Sequence, residues 1–85
     1  MAQGPPRCFP FDLVEAALWR DYQERPILEL LNTRGELVTI FATRSGSSWT
    51  AVVILPPKAS VVMACELDQG DFVQMIEWQP EGPET

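Results

Sequence analysis

Two cysteines, Cys8 and Cys65, and two carboxylates three residues apart, Asp68 and Asp71, are the side chains whose types permit thiol or metal chemistry. A thiol becomes nucleophilic when its surroundings lower its pKa, and no Lys pair or activating motif accompanies either cysteine. Nor do the cysteines have metal-ligand spacing. Asp68-x-x-Asp71 offers calcium a weak attraction, but a calcium loop needs more oxygen ligands, so a plain turn accounts for the pair better. The glycines at 4, 35, 46, 70 and 82 stand singly, without a phosphate-cradling pattern. The chain has no histidine, which removes the commonest general base, nucleophile activator and metal ligand at once. The expectation is a non-enzymatic protein with no catalytic residue, no metal and no cofactor.

Recognition is the chemistry that remains. Trp19, Trp49 and Trp78 lead a set of aromatics that includes Phe9, Phe11, Tyr22, Phe41 and Phe72. Exposed tryptophan is enriched at protein interfaces, so the three tryptophans are candidate contact residues. Core packing is the favoured account of Trp49, whereas core and surface are evenly balanced for Trp19 and Trp78. Met63 and Met75 read as core filler.

Charge is segregated along the chain. Residues 1–58 hold six acidic and six basic residues, which cancel. Residues 59–85 hold Glu66, Asp68, Asp71, Glu77, Glu81 and Glu84 and no basic residue, so the net charge of −6 belongs to the last third. Direct nucleic-acid binding is disfavoured, because phosphate contacts need clustered Lys and Arg. Glu77, Glu81 and Glu84 are candidate contacts for a basic protein partner. A solvated acidic end that aids solubility is the plainer alternative.

The elements that must position these residues follow from pattern. Residues 1–10, with Gly4, Pro5, Pro6 and Pro10, read as an irregular arm. A helix follows, with Asp12 as its cap, Glu15 completing a capping box and Phe11 at the staple position. Leu13, Val14, Ala17 and Leu18 form its apolar face, continued by Tyr22, and Pro26 ends it by about residue 24. The period then changes to two. Strands are expected at 27–32, 36–43, 48–55, 60–67 and 71–78, with turns at Asn32–Gly35, Ser45–Ser47, Pro56–Lys58 and Asp68–Asp71. Short connections join antiparallel neighbours. The expected fold is α+β: one N-terminal helix packed on a four- or five-stranded antiparallel meander, with closure into a half-barrel as one alternative. The domain spans 11–79, and 80–85 form a flexible acidic tail.

Strand 48–55 is apolar on both faces, with Trp49, Ala51, Val53 and Leu55 on one and Thr50, Val52 and Ile54 on the other. One helix covers one face, so the other calls for a sheet fold-over or a second copy of the chain. A domain of 85 residues buries roughly 60–65% of its unfolded surface, which also favours support from dimerisation. The N-terminus lacks the apolar core of a signal peptide and no stretch is long enough to span a bilayer, so the chain reads as cytoplasmic unless a leader has been removed. A reducing cytosol favours two free thiols over a Cys8–Cys65 bridge.

The order LWRDYQERP, RGELVTIFAT, SSWTAVVILPP, SVVMA resembles a group of short uncharacterised alphaproteobacterial and phage-encoded proteins. Their pattern runs Tyr-x-Glu near a helix end, a Gly-x-Leu-Val-x-x-Phe-Ala strand, a Thr-Trp-Thr strand, then Pro-x-Gly and Ser-Cys-x-x-Ala. Tyr22 and Glu24, Gly35 to Ala42 and Ser48-Trp49-Thr50 match it, over about residues 12–65. Pro57-Lys58-Ala59 replaces Pro-x-Gly, and Val61 stands at the cysteine position, with Cys65 four residues later. The resemblance implies a fold and a source but no activity. Three functions are therefore expected: a self-associating, homodimeric protein-interaction module; a phage-type inhibitor whose acidic last third occupies a basic site on a host protein; or a small-ligand module using Trp49 or Trp78.

Overall fold

The computed structural model describes residues 7–76. In chain order these form β1 (Cys8–Pro10), α1 (Phe11–Tyr22), β2 (Arg25–Leu31), β3 (Leu37–Ala42), β4 (Trp49–Ile54) and β5 (Met63–Gly70). The strands make one open antiparallel sheet in the order β1-β5-β4-β3-β2, not closed into a barrel. The α+β class and the β2–β5 meander are as the sequence pattern implies. The fifth strand is not. It comes from Cys8–Pro10, in the stretch expected to be an irregular arm, whereas Asp71–Ile76 form no strand. β5 runs on through the expected Asp68–Asp71 turn to Gly70, so no room remains for a tight hairpin into residue 71.

The helix leaves one edge of the sheet and ends at the other, crossing a single face. Pro10 is its cap residue, no side chain caps it, and Asp12 falls inside the first turn. The Phe11 N–H donates instead to the Val62 carbonyl at 2.8 Å, so a tertiary contact replaces the expected capping box. Acidic Asp12 still complements the helix dipole. Phe11, Val14 and Leu18 pack on Phe41, Val52 and Ala64, while Leu13 is exposed rather than on the apolar face. The Phe11 and Phe41 ring centroids lie 6.3 Å apart. At the other end Gln23 adopts a left-handed conformation, its N–H on the Trp19 carbonyl, and Glu24 N–H reaches the Leu18 carbonyl.

β4 occupies the middle of the sheet, and Thr50, Ala51, Val52 and Val53 are all buried. The face away from the helix has its own cluster, Val38, Val53 and Cys65 with Ile40 and Leu55 against it. Two-sided burial of this strand is thus observed.

Cys8 and Cys65 are joined by a disulfide, correcting the expectation of two thiols. They are register partners across β1 and β5, with Cα atoms 4.0 Å apart. Glu66 N–H bonds the Arg7 carbonyl and Phe11 N–H bonds that of Val62, so alternation makes Cys8–Cys65 a non-hydrogen-bonded pair, where side chains approach closest. Composition and compartment arguments are blind to this register.

The β2–β3 turn is held by Asn32, whose Oδ1 accepts from the Arg34 and Glu36 N–H groups, both at 2.9 Å. Hydrogen bonding from Asn32, and then from Arg34, holds the Glu36 carboxyl below its ordinary pKa. Because the folded value is the lower one, this contribution is present above the unfolded value and fades as pH falls through the folded one. An Asn32→Ala variant should therefore lose stability near neutral pH and less toward acid, as followed by urea unfolding at several pH values. Opening the disulfide closes off a larger contribution. With the cysteines 57 positions apart in sequence, the Cys8→Ala/Cys65→Ala variant should lose about 2–4 kcal/mol in denaturant unfolding, matched by reduction of the native chain.

Candidate interaction surfaces

The left-handed cap after α1 turns the chain sharply, and Arg25, the first residue of β2, meets the last turn of the helix. Its guanidinium carbon lies 4.0 Å from the centroid of the Trp19 ring. Trp19 stays 46% exposed, so this tryptophan is on the surface. A guanidinium over an exposed indole is worth about 0.5–1 kcal/mol and fixes both side chains.

Trp49 has a different role. It opens β4 opposite Gly70 of β5 and is half-buried. A Cβ added at Gly70 would overlap the indole, so the absence of a side chain there is what lets the ring lie across the neighbouring strand. Trp78, Glu77, Glu81 and Glu84 lie outside the described residues. Of the six candidate contacts, the structure therefore places two, Trp19 and Trp49, and does not bring them together as one cleft lining.

Other features were invisible to pattern reading. Glu24 is 2% exposed. One carboxyl oxygen accepts from the Ser48 hydroxyl at 2.6 Å, and the other has no partner among the described residues. The bond ties the helix end to the start of β4, across 24 residues of sequence. Met75, expected in the core, is exposed, as are Phe72 and Ile76. After β5 the chain turns back to the β3–β4 loop, where Val73 N–H donates to the Gly46 carbonyl at 3.0 Å. Gly46 has φ of +81°, and a Cβ there would collide with the Val73 carbonyl, so only glycine allows this contact.

All seven residues of β2 are exposed, including Ile27, Leu28, Leu30 and Leu31. Two open clefts of similar volume, about 1400 and 1380 Å³, flank the helix, so their linings rather than their sizes distinguish them. One mixes Glu66 and Asp68 with Arg7 and Arg20. The other contains Trp19, Arg25, Arg44, Phe72 and Met75. Among the described residues no group of three His, Cys, Asp or Glu side chains is placed to hold a metal, and no helix is long and apolar enough to cross a membrane. On the surface, Arg20 and Asp21 pair at 2.9 Å, which lowers the aspartate pKa and raises that of the arginine.

Comparison with protein-family models, curated proteins and solved structures finds no match to this chain.

Removing the Ser48 hydroxyl would strip the buried Glu24 carboxyl of its one observed donor. Ser48→Ala should cost about 1–3 kcal/mol in urea unfolding, and Ser48→Thr, which keeps a hydroxyl, should cost less.

Proposed function

We propose that this chain is a non-enzymatic protein–protein interaction module that self-associates through the open edge of β2. One observation carries the proposal: a seven-residue edge strand is exposed throughout and carries four large aliphatic side chains. Edge strands present unpaired backbone groups that a second chain can complete, and monomeric proteins normally blunt them. Here the blunting is slight, with Pro26 near one end and Glu29 in the middle.

The pairing geometry is constrained. Asn32 N–H bonds the Glu36 carbonyl of the neighbouring segment, and by alternation the polar groups of Leu28 and Leu30 also point to β3. Those of Glu29 and Leu31 point outward. A two-fold centred on Glu29 would oppose like charges, whereas one centred on Leu28 or Leu30 avoids this. Such a dimer would continue the five-stranded sheet into one of ten. It would also cover Leu28 and Leu30, which share register pairs with Ile40 and Val38 on the face away from the helix. The Cys8–Cys65 bond supports an oxidising compartment over the cytoplasm as the place of action.

Light scattering across a concentration series should show a dimer for the native chain. Leu30→Lys should raise the dimer dissociation constant by at least about tenfold, or about 1.4 kcal/mol. A native chain that stays strictly monomeric at the highest concentration removes the proposal.

A further inference from the structure

The cleft between the last turn of α1, the β3–β4 loop and residues 72–75 has a charge character unlike the rest of the chain. Arg25 and Arg44 both line it and, among the described residues, no carboxylate does, on a protein of net charge −6. Arg20 and Arg34 have carboxylates of their own in Asp21 and Glu36, but among the described residues Arg25 and Arg44 have none. The Trp19 ring holds the face of the Arg25 guanidinium at 4.0 Å. Stacking occupies the face of the fork and leaves its N–H edge available to donate. It also immobilises the side chain before any ligand arrives, which lowers the entropy lost on binding.

The surroundings of these two cations suit an apolar anchor. Trp19, Tyr22, Phe72 and Met75 line the same cleft and are all exposed. Trp, Tyr and Arg dominate the energetics of protein interfaces, and Met and Phe are enriched there. The Gly46–Val73 contact fixes one wall by binding residues 72–75 to the β3–β4 loop.

We infer that this cleft binds a peptide segment of another protein in which Asp or Glu adjoins a large apolar side chain. The carboxylate is held by Arg25 and Arg44, and the apolar side chain rests on Trp19, Phe72 and Met75. Nucleic acid is the weaker occupant, since two arginines on an acidic chain neutralise few phosphates. The cleft shares Arg25 and Ile27 with the start of β2, so Arg44, which lies outside β2, and Leu30, which lies outside the cleft, are the positions that separate this inference from the proposed dimer.

The full-length protein is panned against a random heptapeptide display library, and an enriched peptide is synthesised and titrated by fluorescence anisotropy. The expected result is enrichment of Asp or Glu beside an aromatic or aliphatic residue, with binding that weakens as salt is raised. Arg25→Gln and Arg44→Gln should each weaken the peptide about tenfold. Arg25→Lys should recover part of the loss, while Arg34→Gln and Leu30→Lys should leave affinity unchanged. No enrichment, or enrichment of sequences without carboxylates, overturns the inference. So does an Arg34→Gln loss equal to that of Arg25→Gln, which would mark nonspecific attraction. A single-stranded oligonucleotide that displaces the peptide would overturn it in favour of nucleic acid. Disruption of the dimer by Arg44→Gln would do so in favour of a second copy.

Discussion

Burial of β4 on both faces is the constraint from which the rest of the architecture follows. Thr50, Ala51, Val52 and Val53 are consecutive and all buried, so apolar surface must be supplied above and below the same strand. A single helix covers one face, using Phe11, Val14 and Leu18. The opposite face is built from Val38, Val53 and Cys65, and the disulfide from Cys65 to Cys8 anchors the outermost strand beside it. Placing β4 at the centre leaves β1 and β2 as the two edges. The three-residue β1 is short, ends in proline and is covalently tied to its neighbour. β2 has none of these protections along most of its length, and that asymmetry directs attention to it.

Several tertiary contacts converge at the β3–β4 loop. Gly46 receives the segment after β5, Ser48 holds Glu24 from the end of the helix, and Trp49 lies over Gly70. The left-handed turn at Gln23 brings Glu24 inward and sets Arg25 over Trp19. One short region therefore locks the helix terminus, two strand ends and the chain beyond the sheet. A cleft whose walls are fixed by such contacts is preorganised, in contrast to the open β2 edge, where two chains would have to order one another.

Much of the fold was legible in the residues. The runs at 37–42 and 49–54, rich in β-branched and aromatic residues, are local properties, and the strands fall within a residue or two of where those runs place them. Pro26 marks the helix end for a similarly local reason. The candidate surfaces were legible only in part. Trp19 is an exposed aromatic, but its partner Arg25 is supplied by a turn with a left-handed residue that is not glycine. Met75 and Phe72 follow a strand pattern yet are exposed, because β5 uses the expected turn for its own last residues.

The sequence by itself determined the α+β class, the order of the helix and the meander, the apolar character of β4 on both sides and the segregation of charge. Each of these depends on residues near one another in the chain or on composition. The tertiary structure alone decided that Cys8 lies opposite Cys65, that the fifth strand is N-terminal, and that β2 is left at an edge. It also gathered Arg25 and Arg44 into one cleft beside Trp19, with no carboxylate among the described lining residues. Those outcomes depend on the register and order of strands paired across long stretches of chain, and no local pattern encodes which strand finds which neighbour.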